Sequence, residues 1–179
     1  MTMHKFSFLV SDRIRLRALE PEDLDLLYSL ENDPASWNMS NSTMPYSKFF
    51  LHQYLEHQQG DIFADKQLRL VIESIDKEVI GLVDLFEFQP LHQRAELGII
   101  ILKEYRKQGY AVDAINLLLD YAFNHLMLHQ VYAQVGELNQ DSIKLFQACG
   151  FTHESTLKQW LFTPDGFKDA FVFQKIKSI

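Results

Sequence analysis

The segment Arg106-Lys107-Gln108-Gly109-Tyr110-Ala111 reads R-x-x-G-x-A between an apolar stretch and the start of an amphipathic one. Small residues there let backbone N–H groups converge at a helix N-terminus. Unpaired amides and the helix dipole both favour negative charge at such a point. The chemistry on offer is anion binding, and a phosphate-bearing cofactor is the natural guest. Three carboxylates, Asp84, Glu87 and Glu96, lie upstream on two apolar stretches. Alternation along an extended chain puts Asp84 and Phe86 on one face and Leu85 and Glu87 on the other. A carboxylate facing a site accepts a proton through water or holds a cation. The alternative is a solvated strand charge or a cross-strand ion pair, such as Glu96 with Arg94.

The elements that position these groups follow from periodicity. Arg13–Arg17 (RIRLR) alternates as a strand does. Glu20-Pro21-Glu22-Asp23 opens a helix, with proline in the first turn and acids at the positive dipole end. Leu24, Leu27, Tyr28 and Leu30 give that helix an apolar face. Asn32–Tyr46 is polar and turn-rich and reads as a loop; Trp37 within it lines a pocket or plugs the core edge. Ser47 is expected to cap a second helix ending near Gln58. Gln67–Ser74 and Val79–Phe88 are predicted strands around a tight turn at Asp76-Lys77. Arg94–Leu102 is a third, and the three form an antiparallel meander. Gly109–Asn124 is a helix with Ala111, Ala114, Ile115, Leu118, Leu119 and Ala122 at helical spacing. Val131–Val135 is a strand. Asn139–Ala148 is a helix capped near Asn139 or Asp141 and stopped by Gly150. Phe151–Phe162 and Asp169–Ile176 complete the sheet around the turn Pro164-Asp165-Gly166. The result is a mixed α/β (α+β) sheet with helices against it.

Bulk properties narrow the function classes. A chain of 179 residues is one domain spanning 1–179, with length enough for a real core. Hydrophobic residues make up 47% and charged residues 23%, a globular balance. No apolar run approaches the roughly 18 residues of a membrane span. The start MTMHKFSFLVSDR lacks a small-residue cleavage site, so no signal peptide is read. The net charge of −7 lacks the basic footprint of a nucleic-acid binder. It suits a cationic substrate such as a polyamine, although mild acidity ordinarily serves solubility. The single cysteine, Cys149, excludes an intrachain disulfide and points to a reducing, cytoplasmic setting. His125 and His129 fall at a helix end, which disfavours a shared-face zinc pair, and no metal is expected.

The element order, with R-x-x-G-x-A at the fourth strand–helix junction, resembles the GCN5-related N-acetyltransferase superfamily. The resemblance spans nearly the whole chain. It rests also on AELGIII before the loop, VYAQVGELNQDSIKLFQACGF after it, the opening IRLRALEPEDLDLLYSLEND and the ending GFKDAFVF. Together these are similar to the branch of spermidine N-acetyltransferases and ribosomal-protein N-terminal acetyltransferases, and GLVDLFEF…HQRAELGIII is most similar to the former. The resemblance implies a mostly antiparallel sheet of about seven strands flanked by about four helices. It implies acetyl-CoA as cosubstrate, with its pyrophosphate cradled by Arg106, Lys107, Gln108, Gly109, Tyr110 and Ala111. Gly98, Ile99, Ile100 and Ile101 would pair with the pantetheine arm like an added strand. A backbone amide near Ile99 or Ile100, here assigned to Ile100, would polarise the thioester carbonyl and lower the barrier by roughly 3 kcal/mol. Asn139 would hydrogen-bond the cofactor; its competing role is helix N-cap. Asp84, Glu87 and Glu96 become candidates for the base or for amine binding. Partners implied are a small-molecule amine and further copies of the chain, with no nucleic acid or membrane.

One position departs from the family pattern. Members commonly place a thiolate-protonating tyrosine on the helix after the fifth strand, and the matching residue in IKLFQACGF is Phe146. Phenylalanine donates no proton. Tyr132, Cys149 or Tyr110 serves instead, the thiolate leaves unaided because a thiol with pKa near ~8.5 is a tolerable leaving group, or the chain only binds acyl-CoA. The expectation is unaided departure, with Phe146 retained as a cofactor contact. A protein N-terminal acetyltransferase and a non-catalytic acyl-CoA-binding domain remain the alternatives. A nucleotide-binding redox domain is poorer, because its G-x-G-x-x-G loop is missing. The interhelical loop DPASWNMSNSTMPYSK is poor in the acids that spermidine enzymes carry there.

Overall fold

The structure, a computed structural model, describes residues 8–33, 44–57 and 60–178. A seven-stranded sheet organises it. Its strands are β1 (Ile14–Ala18), β2 (Leu68–Ser74), β3 (Val79–Gln89), β4 (Arg94–Ile101), β5 (Gln130–Gly136), β6 (Thr152–Thr163) and β7 (Gly166–Ile176). Their spatial order is β1-β2-β3-β4-β5-β7-β6. Every pairing is antiparallel except the parallel β4–β5 pair. Five α-helices stand among the described residues: α1 (Leu24–Glu31), α2 (Lys48–His57), α3 (Ile62–Asp65), α4 (Tyr110–Asn124) and α5 (Gln140–Ala148). The meander, both main helices after it and the closing hairpin match the expectations within a few residues.

The two sheet faces have separate cores. On one face α4 buries Ala114, Ile115, Leu118, Leu119 and Ala122 against β-strand residues such as Ile72, Val83, Leu97 and Val131. Each such leucine or isoleucine is worth about 1.5–3 kcal/mol of burial. Phe146 of α5 joins this core. On the other face α1 and α2 form a smaller cluster, in which Leu27 and Leu51 meet Val71 and Leu82. Tyr28, expected on the apolar face of α1, is exposed with the Lys48 ammonium 5.3 Å from its ring centre. A 3-10 turn at Pro21–Asp23 precedes α1, and the Asp23 carboxylate accepts from the Glu20 amide at 2.8 Å.

The connection after α1 is closed by one side chain. Asn32 donates to the Tyr46 carbonyl at 3.0 Å and accepts from the Tyr46 amide at 2.8 Å. Ser47 caps the next helix by accepting from the Phe50 amide at 3.1 Å, as expected. Trp37 and Gln58 lie outside the described residues. Two lysines of the β7 end cover helix C-termini, where carbonyls are unpaired. Lys175 donates to the Cys149 carbonyl, and Lys177 to that of Phe123 at 2.6 Å.

Two departures from regular patterning bear on the site. The short helix α3 has no signal in apolar periodicity; Asp61 caps it by accepting from the Phe63 amide at 2.9 Å. In β3 the register jumps between Phe86 and Gln89, opposite Glu96 and Arg94, so β3 carries one extra residue. Glu87 sits in that bulge at φ 49°. Leu85 and Phe88 are the core residues on either side, so Glu87 does not share the Leu85 face as strict alternation predicts.

Candidate active site

The parallel β4–β5 ladder has only three rungs, Arg94–Gln130, Ala95–Val131 and Glu96–Tyr132. Beyond Glu96 the strands part. Which β4 groups face the resulting gap follows from alternation. The Gln93 carbonyl accepts from the Gln130 amide, so odd-numbered residues point their main chain toward β5. Two observations agree. The Leu102 amide donates to the Ile80 carbonyl on the β3 side. A Cβ placed on Gly81 of β3 would collide with the Ile100 carbonyl oxygen. The main-chain groups of Ile99 and Ile101 therefore face the gap, while those of Gly98 and Ile100 are turned to β3. This corrects the Ile100 amide assignment: the donor that faces the gap is Ile99. The Ile101 carbonyl already accepts from Arg106 Nε at 3.0 Å, which fixes the first residue of the loop to the end of β4.

The gap leads to the start of α4. Lys107 and Gly109 take positive φ, 60° and 86°, so successive amides turn inward as in an anion-binding nest. Gly109 is the N-cap and no side chain caps this end. A 15-residue helix thus presents uncapped amides beside exposed Lys107, Gln108 and Gly109. These features fit a phosphate group. Asp113 in the first turn is paired to Arg13 at 2.7 Å, and Arg13 donates to the Gln108 carbonyl at 2.8 Å.

The three carboxylates separate in character. Asp84 is held by a fork: Arg69 Nε reaches its two oxygens at 3.1 and 3.0 Å, and Nη2 reaches Oδ2 at 2.8 Å. Arg69 also donates to Glu31 of α1 at 2.7 Å. Burial pushes the Asp84 carboxyl up, and the Arg69 charge pulls it back. Asp84 is thus an anchor between sheet and helix, which displaces it as a candidate base. Glu96, at the last rung of the ladder, is 8% exposed. Burial raises its carboxyl above the ordinary range, opposed by hydrogen bonds from Gln134 (3.3 Å) and Tyr132. Tyr132 is pushed up to about 12 by burial and by the charges of Glu96 and Glu87. Glu87 is exposed on the bulge and lines a cavity of about 450 Å³ with Asp65, Lys66 and Phe86. Glu96, Tyr132, Gln134 and Glu87 form one polar cluster, and Gln134, a lone strand glutamine, carries no sequence motif.

Phe146 is 4% exposed, with Phe151 at 5.1 Å and Phe173 at 6.2 Å between ring centres. Asn139 caps α5 by accepting from the Ser142 amide at 3.1 Å. Burial pushes the Cys149 thiol up, the opposite of an activated nucleophile. His125 stacks on Tyr121 at 4.8 Å.

Comparison with known proteins decides the family. The family model described as an acetyltransferase (GNAT) domain matches residues 13–152. The chain belongs to the GNAT acetyltransferase family. As a GNAT member it is an N-acetyltransferase, and its cosubstrate is acetyl-CoA. It is 33% identical over 160 residues to spermidine N(1)-acetyltransferase of Vibrio cholerae, covering 89% of this chain and 91% of that one. It is 34% identical over 157 residues to the Escherichia coli K12 spermidine N(1)-acetyltransferase, covering 88% and 82%. The crystal structure of the Vibrio cholerae spermidine N-acetyltransferase in complex with CoA and spermine superposes with TM-score 0.81, covering 93% and 96% at 32% identity. A dodecameric structure from the same organism gives TM-score 0.77 at 32% identity, covering 93% and 95%. No helix among the described residues is long and apolar enough to cross a membrane.

Proposed function

We propose that this GNAT enzyme acetylates a polyamine or a similar small primary amine, with Arg106–Ala111 holding the cosubstrate's phosphates and Glu96 receiving the amine's proton. One observation carries the reading: the β4–β5 ladder stops at Glu96–Tyr132, and the gap beyond it leads to the uncapped start of α4. Acetyl-CoA supplies the acetyl group as an activated thioester. The chain's own part is to bind, to polarise and to move one proton. The loop amides and the α4 dipole meet the phosphates, and the absence of a side chain at Gly109 allows close approach. The direction of the β4 main chain supports the Ile99 amide as the donor that polarises the thioester carbonyl, a contribution of about 3 kcal/mol for such donors.

An amine is mostly protonated at neutral pH and must lose a proton before it attacks. Burial makes Glu96 a stronger proton acceptor than an exposed glutamate, and Tyr132 and Gln134 orient its carboxylate. Asp84 is occupied by Arg69. The polyamine preference rests on the spermidine acetyltransferase relatives and on Glu87, a second carboxylate near enough to raise the Glu96 carboxyl, standing beside an open cavity. With no acid at Phe146, the thiolate departs unaided. The dodecameric relative supports an oligomer for this chain too, and the lone cysteine a cytoplasmic setting.

A thiol-release assay with acetyl-CoA across spermidine, spermine, monoamines and short peptides tests the reading. Turnover with polyamines at the highest kcat/KM is expected. Preference for peptides would replace the acceptor, and saturable acetyl-CoA binding without turnover on any amine would leave a binding domain.

A further inference from the structure

We propose that Arg13 is a displaceable phosphate ligand: its guanidinium, held against Asp113 and the Gln108 carbonyl beside Gly109, transfers to the pyrophosphate of acetyl-CoA when the cosubstrate binds. This rests on the reading that Arg106–Ala111 holds those phosphates. Arg13 precedes β1, far from the loop in sequence, yet four features place it there. Nη1 pairs with Asp113 Oδ2 at 2.7 Å, and Nη2 donates to the Gln108 carbonyl at 2.8 Å. The guanidinium lies 4.7 Å from the Tyr110 ring centre. A Cβ on Gly109 would sit 3.3 Å from Arg13 Nη1, so the guanidinium stands over the very turn whose open space the phosphates need.

The present partners are weak ones. The Arg13 and Asp113 side chains are 49% and 30% exposed, and ion pairs with that much solvent contribute little. A pyrophosphate carries more charge than one carboxylate and accepts the guanidinium fork at two points. Exchange of Asp113 for phosphate costs Arg13 little and yields a stronger pair. The need for a further cation is local. Asp113 and Glu104 offset the charges of Lys103 and Lys107 around the loop, and Arg106 is tied to the Ile101 carbonyl through Nε. The Tyr110 ring face adds a cation–π contact that does not depend on Asp113.

The test is calorimetric titration of the full chain with CoA, dephospho-CoA and inorganic pyrophosphate at low and moderate salt. Arg13→Gln is expected to weaken CoA and dephospho-CoA alike by at least about tenfold and to flatten the salt dependence. Arg13→Lys should restore only part, because an ammonium lacks the fork. Asp113→Asn is expected to tighten CoA severalfold in the parent chain and less in the Arg13→Gln background. A strap that merely braces the loop gives the opposite sign: Asp113→Asn would weaken CoA, and that overturns the proposal. So does CoA affinity unchanged by Arg13→Gln, or a loss confined to CoA and absent for dephospho-CoA, which would move the contact to the 3′-phosphate. Gly109→Val separates the two readings. If it abolishes CoA binding while Arg13→Gln does nothing, only the Arg13 role falls. If both variants bind CoA as the parent does, the phosphate loop itself is misassigned.

Discussion

Glu96 and Tyr132 face each other across the last rung of the β4–β5 ladder, and each perturbs the other's proton. The Glu96 charge helps push the Tyr132 hydroxyl up to about 12, so Tyr132 stays neutral and donates. Its hydrogen bond in turn favours the ionised form of Glu96 against the burial that opposes it. The proton affinity of a carboxylate so placed is set by its neighbours.

The first prediction is that Glu96→Gln lowers kcat/KM by about 100-fold or more, the usual worth of a general base. Glutamine keeps the shape and can still bond to Gln134, so the melting temperature should hold within a few degrees. Steady-state kinetics with polyamine, alongside a thermal melt, checks this. A loss under threefold would remove Glu96 from the reaction.

A second prediction concerns pH and has a definite sign. On the proposed mechanism Glu96 acts ionised, so kcat/KM is expected to rise as pH climbs through its elevated pKa. Tyr132→Phe removes a hydrogen bond to the ionised form and moves this acid limb to higher pH. Glu87→Gln removes a nearby like charge that raises the Glu96 carboxyl, and moves the limb to lower pH. Profiles of kcat/KM for both variants must shift in opposite directions, and a common direction would contradict the cluster.

Much of this arrangement is legible in the chain, because it comes from local rules. R-x-x-G-x-A announces the left-handed turn at Gly109, and alternation announces the meander. What is not legible depends on the partner strand. Ile99 and Ile100 are equivalent in sequence, and main-chain directions such as that of the Ile100 carbonyl toward Gly81 separate them. The bulge at Glu87 leaves Leu85 and Phe88 apolar and so hides inside an apparently regular run. Arg69 reaches Asp84 and Glu31 through distances in sequence that no periodicity encodes.

The Arg69 fork yields a third prediction. Asp84→Asn removes most of the compensation for a mostly buried guanidinium, a class of change that costs about 3 kcal/mol or more. Glu31 still engages Arg69 at 2.7 Å and offsets part of the loss. The melting temperature should fall by roughly 5–10 °C for a chain of this size. Below the melt, kcat should stay within about threefold, because the Asp84 carboxyl is engaged by Arg69. Loss of kcat without loss of stability would restore Asp84 to the chemistry.

Acid stability follows from a second charged cluster. Arg17 holds Asp23 at 2.7 Å and Glu73 at 2.9 Å, and Arg15 also donates to Glu73. Burial works against both ionised carboxylates, but the guanidinium bonds prevail and hold both below the usual range. A depressed folded pKa contributes stability that is full above the unfolded value of about 4 and is lost as pH falls through the folded one. The melting temperature should therefore drop progressively below about pH 4, and Asp23→Asn should flatten that drop while lowering stability at neutral pH. Melts from pH 3 to 7 (~) measure both slopes; an unchanged slope would assign acid unfolding to other groups.

The last prediction addresses Phe146. Its ring sits in the aromatic core against Phe151 and Phe173, where the family's common tyrosine would otherwise project a hydroxyl. A thiolate with conjugate pKa near ~8.5 leaves without an acid at modest cost around neutral pH. Phe146→Tyr supplies the missing donor and, on this argument, changes kcat by less than about tenfold at neutral pH, since the step it assists is not limiting. Burying a hydroxyl among phenylalanines costs about 1–3 kcal/mol unless it finds a partner, so a melt accompanies the kinetics. A gain of 100-fold (~3 kcal/mol of barrier) would show that proton supply to the thiolate limits the parent enzyme.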